Sequence, residues 1–332
     1  MVTRLPNSTA SHAALLTALL AIYIIWGSTY LAIRFAVETI PPFLMVGSRF
    51  ALAGLIMYAF LRLWRPATAP TRRQWINATV LGTLMLGLGT GCVAWAEQTI
   101  PSGLAALLVA TTPVFMVLLD WLWKGGERPS LMITSGIVLG LVGVVVLADP
   151  FEAIRGNGVS LAGVGAVLLA SLSWSIGSLH GRDADMPKDP FLATAMQMLT
   201  GGGVLVVAAA LMGETRGFNL RAVSADSLLS WAYLVVLGSF IAFSAYVYLM
   251  RNATAATVST YAYVNPVVAV VLGWWLGSEV LNARMFVAMA ILVTAVILIT
   301  RGRVRSTRPQ ASIVSKEPAC VTGAIYLDDA TA

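Results

Sequence analysis

"LLVATTPVFMVLLDW", Leu107–Trp121, is an apolar run with Pro113 near its centre. In a soluble helix that proline would delete one hydrogen bond and crowd the preceding turn, at about 3 kcal/mol. A related stretch lies 153 residues further on, "TYAYVNPVVAVVLGWW" (Thr260–Trp275), with Pro266 followed by a valine-rich half-helix and tryptophan. Trp121 answers to Trp274, and Glu127 and Glu279 follow one residue out of step. A helix breaker repeated at matching places in two apolar runs is a pattern to be explained.

Composition supplies the solvent. Hydrophobic residues make up 58% of the 332-residue chain and charged residues only 11%, against about 45–50% and about 25% in a soluble domain. So few charges cannot clothe a water-soluble globule, so the chain is predicted to lie mostly in lipid. The two cysteines, Cys92 and Cys320, make neither a disulfide framework nor a metal cluster. The net charge of +6 sits in short loops beside apolar spans, which fits membrane topology and not a nucleic-acid face.

Apolar runs long enough to cross a hydrocarbon core fall at about 13–33, 43–63, 75–96, 101–122, 130–148, 159–179, 190–212, 228–249, 254–276 and 283–301. The first has too long a core for a cleaved secretory signal and reads as a retained span. With the N-terminus inside, fifteen arginines and lysines fall on the inner face and five (Arg34, Arg155, Arg216, Arg221, Arg284) on the outer. Both termini are therefore expected to be cytoplasmic. Residues 1–12 form the N-terminal segment, and 302–332, rich in Ser, Thr, Pro, Gln and charges, read as a disordered cytoplasmic tail.

Other landmarks repeat in order. Trp26 matches Trp174, Pro42-Phe43 matches Pro190-Phe191 and Arg49 falls on Gln197, all at an offset of 148. Trp75 and "LGT" (81–83) match Trp231 and "LGS" (237–239) at 156. Residues 13–148 and 159–301 thus read as two five-helix repeats. Five is odd, so the second enters the membrane from the opposite face, the inverted repeat of many secondary transporters. The fold class is an all-α polytopic membrane protein of ten transmembrane helices in a 5+5 inverted repeat.

The segments "YIIWGSTYLAIR" (23–34), "PPFLMVGSRFALAG" (41–54), "QTIPSGLAALLVATTPVF" (98–115) and "TYAYVNPVVAV" (260–270) resemble the EamA-type exporters of the drug/metabolite transporter superfamily. The resemblance covers nearly all of residues 15–301. It implies an inner-membrane exporter with a central cavity, moving amino acids, related metabolites or toxic cations, and does not fix a substrate.

Arg49 is the sharpest candidate, about seven residues into the second span and ~10 Å deep at 1.5 Å per residue. An intramembrane arginine faces a cavity or a partner. It either binds a substrate carboxylate or clamps helices together through Glu97 or the carbonyls near Gly27. Glu97 either pairs with Arg49, takes up a proton, or stands as an interfacial carboxylate in water. Asp120 and Lys124, four apart, read as an ordinary helix pair; Asp149, Glu127 and Glu279 read as loop anchors. No acid sits clearly at mid-membrane, which argues against a dedicated proton relay.

The aromatic and polar set expected at a cavity is Trp26, Ser28, Tyr30 and Trp95 in the first half, with Trp174, Gln197, Tyr246, Tyr261, Tyr263 and Asn265 in the second. Trp64, Trp75, Trp121, Trp231, Trp274 and Trp275 read as interfacial belt. The glycines of "GLGTG" (87–91), "GIVLG" (136–140) and "GSLHG" (177–181) read as close helix packing. "PSG" (101–103) opens a span whose bare helix N-terminus either attracts an anionic group or is capped by Ser102.

With two histidines, no HExxH and no nucleophile–base set, a membrane enzyme is disfavoured, and nothing fits a P-loop. The sequence predicts a secondary exporter of a small organic metabolite working by alternating access, with a channel-like facilitator or importer as the alternative. The implied partners are a small-molecule substrate and the lipid bilayer, not nucleic acid, with a homodimer left open; no metal and no cofactor is implied. Helix kinks are expected at Pro113 and Pro266, with the cavity between them.

Overall fold

The structure, a computed structural model, describes residues 12–64, 69–125, 128–149, 159–253, 255–258 and 260–306. Glu127, Arg155, Cys320 and the tail from 307 lie outside the described residues. Among the described residues nine helices are long and apolar enough to cross a membrane: α1 (His12–Ala36), α2 (Pro42–Trp64), α3 (Arg72–Ala96), α4 (Ser102–Trp123), α5 (Leu131–Ala148), α6 (Leu161–Gly181), α7 (Pro190–Leu211), α8 (Ala225–Met250) and α10 (Ala283–Gly302). The ninth expected span is shorter, an apolar helix α9 (Tyr261–Trp275) preceded by the short turn of helix Ala255–Val258. Helix α10 continues to Ser306, past the point where the tail was expected to begin.

The helices pair across the halves. Helix α2 packs on α7, α5 on α10 and α4 on α9; α1 packs on α8 and α9, as α6 packs on α3 and α4. Exchanging each helix with the one five places on maps this list onto itself, as a pseudo-two-fold axis requires.

In lipid, helices associate through close packing and polar contacts more than through hydrophobic burial. At the α2–α7 crossing a Cβ on Gly202 would lie 2.3 Å from the Ala51 nitrogen, and one on Gly54 would lie 2.3 Å from the Leu199 nitrogen. Gly136 and Gly143 pack in the same way on Ile299 and Leu292 of α10.

Among the described residues three stretches are π-helical: Ile22–Trp26 in α1, Gly82–Thr90 in α3 and Leu234–Ile241 in α8. The last two stand at corresponding places in the repeats: one begins at the glycine of "LGT" (81–83) and the other contains "LGS" (237–239). Such widened turns recur at functional sites.

The two prolines differ. Helix α4 is interrupted at Ala110–Thr111, so that Pro113 sits in the first turn of its second half, Thr112–Trp123. The Val109 carbonyl that Pro113 frees accepts the Thr112 hydroxyl at 2.7 Å, and the Thr111 hydroxyl serves Leu108 at 2.7 Å. Helix α9 runs unbroken through Pro266; its discontinuity falls ahead of the proline, at Thr260, and not at it.

Substituting Gly202 by valine should push the α2 and α7 backbones apart and cost roughly 1–3 kcal/mol or more. A Cβ on the neighbouring Gly203 meets nothing within 4 Å, so Gly203→Ala should leave the melting temperature in detergent unchanged while Gly202→Val lowers it. Equal melting of the two variants would refute the crossing.

Candidate functional site

Three helices of the first half and three of the second meet along a seam between α1, α8 and α9 on one side and α3, α4 and α6 on the other. The residue before each proline marks the middle of that seam. The Asn265 carbonyl lies 3.3 Å from where a Cβ on Gly27 would stand, and the Ser175 hydroxyl donates to the Thr112 carbonyl at 3.2 Å. Gly27 and Ser175 each follow a repeat tryptophan, so the α1–α9 and α6–α4 crossings are counterparts.

One end of the seam is closed. There the second halves of α1 and α9 and the first half of α4 pack three ways. The Glu279 carboxylate, 6% exposed, locks them. It accepts the Ser102 amide and hydroxyl at 2.7 Å each, the Gly103 amide at 3.1 Å and an Arg34 guanidinium nitrogen at 2.8 Å. The anion expected at the "PSG" helix start is thus a residue of the other half, and Ser102 donates to it instead of capping alone. A second acid does the same for α2: Glu214 accepts the Leu44 amide at 2.8 Å and the Phe43 amide at 3.4 Å.

The other end differs. The second half of α4 packs on α6, while the start of α9 packs on α1 and α8. Among the described residues no packed layer joins that part of α9 to α4 or α6 as one does at the Glu279 end. Its rim carries ion pairs between α4 and the loop after α6: Lys124–Asp183 at 2.7 Å and Arg182–Asp120 at 3.1 Å. Asp120 and Lys124 are therefore not a pair of their own. The Lys124 hydrogen bond holds the exposed Asp183 carboxyl below its ordinary range.

The predicted residues distribute unevenly about this seam. Trp26 and Tyr246 stand 5.2 Å apart between ring centres, and Trp26 and Tyr261 5.3 Å, edge to face. Tyr23 and Thr260 share a hydroxyl hydrogen bond beside them. The Ser28 hydroxyl meets that of Tyr233 at 2.5 Å. Tyr30 packs toward the cluster of α3, α4 and α9. Tyr263 is half-buried outside the ring cluster. Asn265 is buried with its side-chain oxygen unpartnered.

Trp174 packs on Gly89 in the π-helical stretch of α3, and the Gln197 carbonyl lies 2.3 Å from a Cβ on Gly82. Trp95 is 37% exposed and lines a surface depression of about 510 Å³ with Gln98, Glu38, Glu214 and Arg216, apart from Trp26. Of the belt tryptophans, Trp64, Trp121, Trp274 and Trp275 are exposed. Trp231 is not belt alone: its ring nitrogen donates to Ser48 of α2 at 3.1 Å.

Arg49 is 5% exposed and meets neither Glu97 nor the carbonyls near Gly27 through a hydrogen bond. Its Nε donates to the Ser239 hydroxyl of α8 at 3.3 Å, its guanidinium lies 4.5 Å from the Phe50 ring centre, and Nη1 has no partner. A Cβ on Gly238 would stand 3.2 Å from Nη2. "LGS" therefore makes room for Arg49 and bonds it. Glu97 is 4% exposed with both carboxylate oxygens unpartnered, so it is not a carboxylate in water. Glu214, Tyr233 and Ser239 went unnoticed in the sequence; only the "LGT"/"LGS" repeat pointed to the last. Among the described residues no cluster of metal-ligating side chains occurs.

A helical seam between two interleaved halves, with buried charge on membrane helices, defines a polytopic membrane protein of the two-repeat transporter class. The family model described as the EamA-like transporter family matches residues 12–148 and 161–301, and the chain belongs to that family. It is 42% identical over 290 residues, covering 86% of this chain and 90% of the other, to the uncharacterized inner membrane transporter YedA of Escherichia coli. It is 26% identical over 290 residues to the uncharacterized transporter YvbV of Bacillus subtilis, across 87% of this chain and 92% of that one. A chloroplastic WAT1-related protein of Arabidopsis thaliana is 25% identical, over 85% of this chain and 68% of its own. A solved crystal structure, 21% identical, shares the fold with a TM-score of 0.59, covering 87% of this chain and 98% of that one. The family and the two bacterial relatives are named as transporters.

Removing one partner of a buried ion pair costs about 3–5 kcal/mol, while an exposed pair contributes about 0–1 kcal/mol. Glu279→Ala should therefore lower the melting temperature strongly and Arg182→Ala hardly at all. Comparable melting of the two would show that the cap does not hold the closed end.

Proposed function

We propose that the chain is an inner-membrane secondary transporter that exports a small organic metabolite, an amino acid or a related compound, by alternating access. The observation that carries this reading is the one-ended closure of the seam. Two halves that pair by a two-fold exchange are packed and capped at the Glu279 end and unpacked between α9 and α4–α6 at the other. Exchanging the roles of the halves would give the opposite state.

The positive-inside distribution puts the Glu279 end outside and both termini in the cytoplasm. The state seen is then open inward, ready to load from the cytoplasm. Trp26, Tyr246 and Tyr261 offer a half-buried aromatic surface beside the seam, with Ser28, Tyr30 and Asn265 above it. Arg49 contributes a buried guanidinium whose free Nη1 suits a substrate carboxylate. Gln197 takes the corresponding place in the other half.

The test is flux in proteoliposomes, with candidates chosen by a growth screen of an overexpressing strain against toxic amino-acid analogues and organic cations. Saturable efflux supports a carrier, non-saturating flux a channel, and inward-directed uptake an importer. Arg49→Ala should reduce efflux at least tenfold, whereas Arg301→Ala, an exposed residue near the end of α10, should leave it near wild type. Near-wild-type efflux in both variants would remove Arg49 from the site.

A further inference from the structure

Glu97 follows the last turn of α3, where the chain turns toward α4 at the closed end. Neither oxygen of its carboxyl group has a hydrogen-bond partner, and the residue is 4% exposed. An ionised carboxylate left in that condition is too costly to persist, and the group takes a proton instead. Its surroundings sharpen this. From the end of α9 it feels the Glu279 carboxylate, a like charge, and from α1 it feels Arg34 and Tyr30. Arg34 is already committed to Glu279 at 2.8 Å.

The other helices packed on this part of α3 offer no counter-charge at this end; from the loops, Glu38, Glu214 and Arg216 line the depression on the Trp95–Gln98 side, and Glu214 is taken by the α2 amides. Helix α6 carries only His180, at its opposite end. Helix α2 carries Arg49, whose bonded partner is Ser239, with Tyr58 and Arg62 beyond it. The first half of α4 has no ionisable side chain. With both glutamates ionised, one cation would face two anions; with a proton on Glu97 the group balances.

We infer that Glu97 is a proton-binding site of the closed end: it takes a proton from the water on that side as helices α1, α4 and α9 close, and returns it when they part. The inference rests on the alternating-access reading. By analogy with the open end, where α4 stays with α6 while α9 stays with α1 and α8, opening carries Ser102, and Glu97 on the short connection before it, away from Glu279 and Arg34. Glu97 is then wetted and ionises, while Glu279 keeps Arg34. A metal cation is the poorer occupant, since among the described residues no third ligating side chain stands near.

The sign follows from linkage. The closed form binds one more proton than the open form, so acidifying favours closure. Between the ionisation ranges of the two forms the closed-to-open ratio should rise about tenfold for each unit of falling pH.

Spin labels at Gln98→Cys and Val280→Cys, both exposed, report the α3–α9 separation in the full chain reconstituted in nanodiscs, with Cys92 and Cys320 replaced by alanine. The wild-type background should shift from a long to a short distance as pH falls. Glu97→Gln should stay short at every pH, and Glu279→Gln should keep the pH response while favouring the long distance. Should Glu97→Gln fail to fold, Glu97→Asp replaces it and should keep the one-proton slope with a displaced midpoint.

A pH response unchanged in Glu97→Gln or Glu97→Asp overturns the inference. So does one lost only in Glu279→Gln, or one that follows sodium in place of protons. Distances that move with substrate and not with pH would sink the proton site and spare the transporter reading. A single fixed distance under every condition would sink both.

Discussion

The first amides of a helix have no partner within it, and where a helix starts inside a protein something else must accept them. Most helices here supply that acceptor themselves: Thr71 and Gln74 form a capping box on α3, and Ser130, Ser160, Asp189 and Ser224 cap α5 to α8. Helices α2 and α4 do not. Helix α2 begins at Pro42 and α4 directly after Pro101, and their amides are taken by Glu214 and Glu279 from the other half. A buried carboxylate in turn needs a cation, and Arg34 of α1 supplies it. The start of α4 is therefore fully satisfied only while the halves are docked at this end. Dependence of a helix terminus on a distant carboxylate converts a packing contact into something that is either made or unmade, which is what a two-state element requires.

The π-helical stretches solve a related problem in the middle of the membrane. A widened turn places a glycine and a hydroxyl side by side at Gly238 and Ser239, and the Ser239 hydroxyl donates to the Leu234 carbonyl at 3.1 Å, satisfying backbone that the wider turn exposes. That pair admits a guanidinium that otherwise costs about 2.5–3.5 kcal/mol at the centre of a membrane helix. The matching Gly82 in α3 admits backbone of α7 in place of a side chain. One architectural device thus serves recognition of a cation in one half and plain helix packing in the other.

The spans, their repeat and the ordering of its landmarks were legible because each depends on composition or on rigid spacing. The partner of the carbonyl that Pro113 frees was legible too, since two adjacent threonines offer their hydroxyls to it and Thr112 donates. Glu279 was not. Its partners lie 177 and 245 residues away in sequence, and an acid at a span end looks the same whether it faces water or caps a buried helix. Trp95 and Trp231 misled for the converse reason: tryptophan suits an interface, a cavity or a hydrogen bond, and only the packing decides. Glu97 looked interfacial because it ends a span, and a position at a span end does not reveal that the residue is buried.

The two halves resemble each other enough to exchange partners, yet they differ where it matters. At the counterpart crossings stand Gly27 and Ser175. A Cβ on Gly27 would lie 2.7 Å from the side chain of Val268, so the α1–α9 crossing exists in its present form only because that position has no side chain. At Ser175 the hydroxyl instead bridges the Ser171 and Thr112 carbonyls at 2.8 and 3.2 Å, leaving room between the helices. The glycine crossing lies against the closed end and the serine crossing against the unpacked one. The two crossings therefore differ by the side chain at one corresponding place, and the capped end is the one whose crossing comes to backbone contact, with Gly27 against the Asn265 carbonyl.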